Sequence, residues 1–153
     1  MKSDGIPCNC QYLGSAARFF SFRLLPGQDL IAELRRWTAE AGLQAGYIAG
    51  AVGSLSRAGL RFAGGSENSL ISGCFEVVSL IGTLDAGGEH LHMALSDPEG
   101  RVTGGHVMEG CVVRTTMELV IGVLDDVAFS REPCPLSGYD ELKVTGNEAS
   151  VEK

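Results

Sequence analysis

Residues 90–106 read HLHMALSDPEGRVTGGH, and this stretch decides how the rest of the chain is interpreted. At its start, apolar side chains alternate with polar or small ones, which is the period of a β-strand with one buried face. Such a strand places His90 and His92 together on the opposite face, about 6–7 Å apart along the chain. The stretch therefore predicts a strand over residues 89–97 whose outer face carries two imidazoles.

Residues 97–100, DPEG, predict the turn that follows. Asp and Pro suit the first two positions of a type I turn, and Gly suits the left-handed position that closes a three-residue loop with a bulge. With that loop, His106 lies directly opposite His92, on the face that also carries His90. A two- or four-residue loop, or a bulge at the two glycines before His106, would turn its side chain away. The turn chemistry therefore favours convergence of the three histidines.

Three imidazoles from adjacent strands form a candidate metal site. Three histidines with an open fourth position suit zinc, although nickel, cobalt, copper or iron accept the same ligands. The alternative is that His90, His92 and His106, the only histidines in the chain, are unrelated surface or core residues. Their clustering within 17 positions is the feature that favours a divalent metal, most simply zinc.

Composition places the chain among single-domain globular proteins. It has 153 residues, of which 44% are hydrophobic and 20% charged, enough to bury a core without disulfides or a metal. The 12 Lys and Arg residues against 19 Asp and Glu residues give a net charge of −7. That sign excludes a polybasic membrane anchor and disfavours non-specific nucleic-acid binding. Because no apolar run is long enough for a membrane span and residues 1–11 lack a signal-peptide core, no membrane association is expected.

The five cysteines favour a reducing compartment, and we expect the protein to be cytoplasmic. Their number is odd and their spacing irregular, unlike a disulfide framework. Cys74 and Cys111 lie in apolar strand-like runs and are predicted to be core residues. Cys8 and Cys10 could bind a soft metal, but a lone pair of cysteines is a weak signal.

One helix and about six or seven strands account for most of the chain. Apolar residues recur at helical spacing over residues 29–41, with Asp29 at the start and Gly42 as the stop. Strand patterns cover residues 17–25, 47–55, 57–63, 75–84, 89–97, 101–108, 112–124 and 127–132, the second and third read as a pair. The predicted fold is α+β, a mainly antiparallel sheet packed with one principal helix. The predicted organisation is an N-terminal arm over 1–16, a single domain over 17–145 and a flexible C-terminal tail over 146–153.

Glu76 is the candidate catalytic residue if the chain is an enzyme. It lies in the apolar run GCFEVVSL, residues 73–80, where a carboxylate is costly unless it is paired or functional. A buried arginine, a subunit interface or a metal-bound water could be its partner, and a solvent-facing position is the alternative. Glu118 is a weaker candidate of the same kind, a carboxylate within an apolar strand-like run. The chain has no phosphate-binding loop, dinucleotide fingerprint or nucleophile elbow.

Seven short stretches together resemble the plants and prokaryotes conserved (PPC) domain in its stand-alone prokaryotic form, the domain that accompanies AT-hooks in plant proteins. The stretches are LPG at 25–27, GAVGS at 50–54, GCFEVVSL at 73–80, HLH at 90–92, DPEGRV at 97–102, GGH at 104–106 and EGCVV at 109–113. Each is weak alone, and their order and spacing are specific. The resemblance runs from about Arg18 to Val144.

The resemblance implies an α+β fold that assembles as a homotrimer. It implies that His90, His92 and His106 match the metal-binding histidines of prokaryotic members, where zinc is expected. It also implies that the strand around Glu76 takes part in subunit or partner contacts, although Cys74 stands where the family motif has arginine. No Arg-Gly-Arg-Pro hook occurs in the chain, so the minor-groove binding of plant relatives does not carry over.

Three functions are compatible with these features. A non-enzymatic assembly or regulatory module, which we favour, would present the metal sites and sheet edges of a homotrimer to a partner protein, such as one bound to DNA. A small zinc-dependent hydrolase or lyase would use the open position on the metal, with Glu76 or Glu109 as general base. Direct DNA binding by the isolated chain is disfavoured by its negative charge.

Overall fold

The computed structural model describes residues 13–147, and over that range it contains seven strands and one helix. The elements are β1 (Ala17–Leu24), α1 (Leu30–Ala41), β2 (Gly46–Arg61), β3 (Ser69–Asp85), β4 (Gly88–Ser96), β5 (Val102–Leu124), β6 (Val127–Pro133) and β7 (Asp140–Gly146). The strand pairings are antiparallel, so the predicted α+β class is confirmed. Cys8 and Cys10 lie outside the described residues.

Strand β5 organises the sheet because it pairs with three other strands. The strand order is β1-β5-β2-β3-β4, and a further pairing of β4 with the start of β5 closes β2 to β5 into a ring. Strand β1 is added along the end of β5, and β6 and β7 form a separate two-stranded sheet. The closed arrangement gives the ring strands an inner face, which is filled by apolar side chains, and an outer face.

Two pairs of predicted strands are in fact single long strands, which corrects the sequence interpretation. Segments 47–55 and 57–63 form one strand, β2, with a bulge between Leu55 and Arg57. A bulge adds one residue and bends the strand without ending its pairing. Segments 101–108 and 112–124 form β5, which continues through Gly110 at a φ of +98°. In both cases the apolar–polar alternation of the sequence is interrupted as it would be at a turn, but the interruption is an irregularity within one continuous strand.

The helix has the boundaries that its end residues predict. The Asp29 carboxylate accepts hydrogen bonds from two backbone N–H groups of the first turn, at 3.0 Å each. Gly42 has a left-handed φ of +59° and ends the helix. Leu30, Ile31 and Leu34 are fully buried, so one face of α1 packs into the hydrophobic core.

Of the two cysteines predicted to lie in the core, one is buried and the other is exposed. Cys111 is fully buried, as predicted. The prediction for Cys74 is wrong, since this side chain is exposed. Phe75 and Val77 point into the core, and strand alternation therefore places Cys74 and Glu76 on the outer face.

Among residues 13–147, no helix has the length and apolarity that crossing a bilayer requires.

Candidate metal centre

The outer face of β4 carries the first two histidines. Leu91, Met93 and Leu95 are buried at 0%, 3% and 0% exposure, and this alternation leaves His90 and His92 exposed on the opposite side. The buried residues fix the strand's orientation because exchanging the two faces would expose them to water. The core thus dictates that both imidazoles point outward.

The turn after β4 brings the third histidine to the same face. The Asp97 N–H donates to the Arg101 carbonyl at 3.0 Å, and the Gly100 N–H donates to the Asp97 carbonyl at 3.0 Å. Gly100 has a φ of +78°, the left-handed value that the three-residue loop requires. His106 consequently pairs with His92, as the turn chemistry predicts.

The two glycines before His106 keep this register without a bulge. The β4–β5 pairing runs from Ser96 and Val102 to His92 and His106 without a shift. A Cβ on Gly104 would lie 2.4 Å from the Met93 carbonyl oxygen, closer than real atoms approach. Glycine at this position allows close approach of the two strands, which supports the convergence of the histidines.

The three imidazoles are close enough to share one ion. Their ring centroids are 5.1–5.5 Å apart in all three pairs. One nitrogen from each of His90, His92 and His106 can be chosen so that all lie within 4.8 Å of one another. Ligand nitrogens about 2.0–2.1 Å from a tetrahedral zinc are roughly 3.3 Å apart. Small side-chain rotations would therefore close the donors around a single ion.

The surroundings of His90 and His106 favour the neutral form of these two imidazoles. Burial lowers the pKa of His106 to about 4, and the neighbouring Arg61 charge acts in the same direction. Burial also lowers the pKa of His90, as does Arg131, while the Glu141 carboxylate opposes these effects. Neutral imidazole is the form that donates a lone pair to a metal, so these shifts favour metal binding by His90 and His106.

A cleft of about 590 Å³ opens beside the three histidines. Its wall includes Arg61, which lies opposite His106 on β2, the loop 62–66 that follows, and Tyr139 from the β6–β7 connection. Arg131 of β6 reaches the same region, and its Nη1 lies 3.5 Å from His90 Nδ1. Sequence analysis missed these residues, because each comes from a segment distant in the chain from the histidines.

The structure does not bring the carboxylates considered as general bases into the cluster. Glu76 is exposed and pairs with Ser96, four residues along β4 from His92 or about 13 Å at strand spacing. Glu109 accepts a 2.5 Å ion-pair contact from Arg35 of the helix. Glu118 is exposed on β5. A catalytic role for Glu76 stays a prediction.

Comparison with known proteins identifies similar sequences and folds. The sequence model of the Plants and Prokaryotes Conserved (PCC) domain, the family abbreviated PPC above, matches residues 12–125. A stretch of the bifunctional protein GlmU from Synechococcus sp. (strain JA-3-3Ab) is 46% identical over 127 residues. That alignment covers 83% of this chain and 20% of the relative, so the chain corresponds to about a fifth of that protein's length.

Two solved structures have the same fold. A hypothetical protein from Salmonella cholerae-suis is 50% identical, with a TM-score of 0.88, over 90% of this chain and 99% of its own. The metal-containing protein AF0104 from Archaeoglobus fulgidus is 22% identical, with a TM-score of 0.73, over 87% of this chain and 99% of its own. The second likeness establishes the fold alone.

Proposed function

We propose that this chain, which belongs to the Plants and Prokaryotes Conserved domain family, is a zinc-binding assembly or regulatory module. The observation that carries the proposal is the convergence of His90, His92 and His106, whose ligand atoms lie within 4.8 Å of one another. Three neutral imidazoles leave a divalent ion its full charge and one open position. A metal-containing relative of the same fold supports the assignment.

Zinc is the proposed ion because the donors are three nitrogens. Imidazole suits zinc, and within residues 13–147 no thiolate or carboxylate joins the three histidines, which argues against a closed structural site. His90 and His92 come from β4 and His106 from β5, so the ion would also tie together the two strands that close the ring. Metal binding is therefore expected to stabilise the fold as well as to create a reactive or sensory centre.

We propose that the module assembles as a homotrimer and contacts a protein partner through its outer strand faces. Several large apolar side chains on these strands are exposed, namely Phe19, Val52, Leu70, Val78, Ile81 and Val102 at 57–64%. Covering such side chains with a partner surface would remove apolar area from water, which favours association. The number three rests on the family resemblance. In the GlmU relative the similar stretch is part of a much longer chain, which suits a module that works beside other domains.

Native mass spectrometry of the untagged protein tests both parts. We expect a trimer with one zinc per chain, and an ion-free trimer for His106→Ala. Arg114→Ala is the matched control, since this exposed residue lies on β5 eight positions beyond His106 and carries no ligand. An ion-free wild-type protein, or zinc retained at full occupancy in His106→Ala, would overturn the metal assignment. A monomer would overturn the assembly.

Direct DNA binding is not proposed for the isolated chain, because its net charge is −7. Weak phosphate contacts would fade with salt, and a mobility-shift assay at about 150 mM salt is expected to give no complex. Any link to DNA would then pass through a partner protein.

The cleft of about 590 Å³ beside the histidines favours one alternative, a small zinc-dependent hydrolase or lyase. A zinc ion with an open position lowers the pKa of bound water to about 7 and polarises a carbonyl. Activity on a broad panel of small esters, amides and hydroxy acids that disappears on chelation, with the fold intact, would favour the enzyme. A trimer that stays inactive on that panel with zinc bound would favour the module.

A further inference from the structure

We infer that the cleft beside the three histidines binds a small organic carboxylate, with its anionic group at the open side of the metal and next to Arg61. This inference rests on the proposed metal site and names the ligand class for it. The protein as a whole has a net charge of −7, whereas Arg61 lines this cleft and Arg131 lies beside His90, so an anion would meet two positive side chains here.

The first argument is the unpaired charge of Arg61. This residue is half-buried, lies opposite His106 in the β2–β5 pairing and lines the cleft. Within residues 13–147 it makes no ion pair with a carboxylate, whereas Arg18, Arg35 and Arg101 all do. Its planar guanidinium has the geometry to bind a carboxylate through two parallel hydrogen bonds. The charge is thus held ready beside the proposed metal.

The second argument is the sign of the charge around the histidines. An imidazole that ligates a metal does so in its neutral form, so three such ligands would leave a bound divalent ion its full +2 charge. Arg61 lies opposite His106 in the strand pairing, and Nη1 of Arg131 lies 3.5 Å from His90 Nδ1, so positive charge flanks the cluster on both sides. The opposing carboxylates are Asp85, 4.0 Å from Arg131, and Glu141. They offset the arginines and leave the charge of the ion for an anion to neutralise.

The third argument concerns the rest of the ligand. Phe62 and Tyr139 line the cleft and are 40% and 75% exposed, so two aromatic faces are open to a bound molecule. Ser66 lies in the same wall. A bare inorganic anion would leave the aromatic wall unused, whereas an organic carboxylate places an apolar body against it. The cleft therefore fits a carboxylate with an apolar group, such as an aromatic acid.

The test uses the full chain loaded with cobalt, because the visible absorption of cobalt reports changes at its open coordination position. Metal content per chain is measured first. The loaded protein is then titrated with benzoate, acetate and inorganic phosphate, and isothermal titration calorimetry follows the same additions. We expect benzoate to change the spectrum and to bind more tightly than acetate or phosphate.

Variants of the cleft wall separate the contributions of Arg61 and Tyr139 to benzoate binding. Arg61→Gln is expected to weaken benzoate binding about tenfold, the loss typical of a charge-assisted hydrogen bond. Arg114→Gln is the matched control, an exposed arginine on the same sheet but eight residues beyond His106 along β5, and it should leave benzoate binding unchanged. Tyr139→Ala is expected to reduce the preference for benzoate over acetate. Thermal unfolding checks that each variant folds, and Arg61→Lys replaces Arg61→Gln if the latter does not.

The outcomes distinguish this inference from the proposed function. If the protein takes up no cobalt or zinc, the metal site itself is wrong and the carboxylate inference fails with it. If the metal binds but no carboxylate changes the spectrum or the heat, the inference alone is overturned. Equal effects of Arg61→Gln and Arg114→Gln, or tighter binding of phosphate than of benzoate, would also overturn it.

Discussion

Arg131 places a positive charge beside the candidate metal centre, and we predict that removing it strengthens metal binding. Its guanidinium is held in place by three contacts. Nη2 donates to Thr83 Oγ1 at 2.9 Å, Nη1 lies 3.5 Å from His90 Nδ1, and Nε lies 4.0 Å from a carboxylate oxygen of Asp85, which is 3% exposed. A side chain fixed in this way cannot swing far from an incoming cation, so it opposes binding.

The size of the effect follows from the distance. A metal bound to His90 would lie about 2 Å from the ring, which puts it roughly 7 Å from the guanidinium of Arg131. Charges of +1 and +2 at that distance repel by about 1 kcal/mol in water and by about 5 kcal/mol at an effective dielectric constant of 20. Because the cleft is open to solvent, the lower value applies, and Arg131→Gln is expected to raise zinc affinity about tenfold.

Competition with a chromogenic chelator measures the zinc affinity of Arg131→Gln and of the double variant with Asp85→Asn. The double variant removes a positive and a negative charge together, so we expect its affinity to lie between those of the wild type and the single variant. Added salt should shrink the difference, since the charges are partly exposed. Unchanged or weaker zinc binding by the single variant, with its fold intact, would refute the electrostatic reasoning.

Four further predictions concern stability and reactivity. Leu91→Ala is expected to lower the free energy of unfolding by about 2–5 kcal/mol in urea denaturation, because Leu91 is fully buried; a loss below about 1 kcal/mol would contradict this core assignment. Asp29→Ala should cost about 1–3 kcal/mol by the same assay, since its carboxylate accepts N–H groups from both the helix and β5, and a neutral result would show that this tether is unimportant. Burial raises the pKa of Cys111 to about 11, so its thiol should react slowly with an aromatic disulfide at pH 8 until urea unfolds the chain. Fast labelling of the folded protein that is lost in the Cys111→Ser variant would contradict the burial of this thiol. The Arg101 guanidinium lowers the pKa of Asp97, so the stabilisation from this carboxylate is present at neutral pH and lost as pH falls through its lowered folded-state pKa; Asp97→Asn should flatten that part of a stability–pH profile.

The features that sequence analysis predicted correctly depend on neighbouring residues. Asp29 and Gly42 mark the two ends of the helix because capping needs only the residues at its ends. The loop at 97–100 sets the register of its own hairpin, and His92 and His106 are equally distant from it along the two strands. Both inferences use chain separations of no more than 14 residues, over which local geometry determines position.

The cleft could not be predicted in this way, because its walls depend on pairing between distant strands. Placing Arg61 beside His106 requires the register of β2 against β5, and that pairing contains four shifts between Ile48 and Gly59. Each one-residue shift exchanges the two faces of a strand, so alternation alone cannot tell whether Arg61 points into the core or outward. Arg131 and Tyr139 depend further on how the β6–β7 sheet lies over the ring. The turn residues of the β4–β5 hairpin are enough to predict from the sequence that the three histidines converge. The charge and shape of the cleft, which would select a ligand, arise only when the distant strands pair and the ring closes.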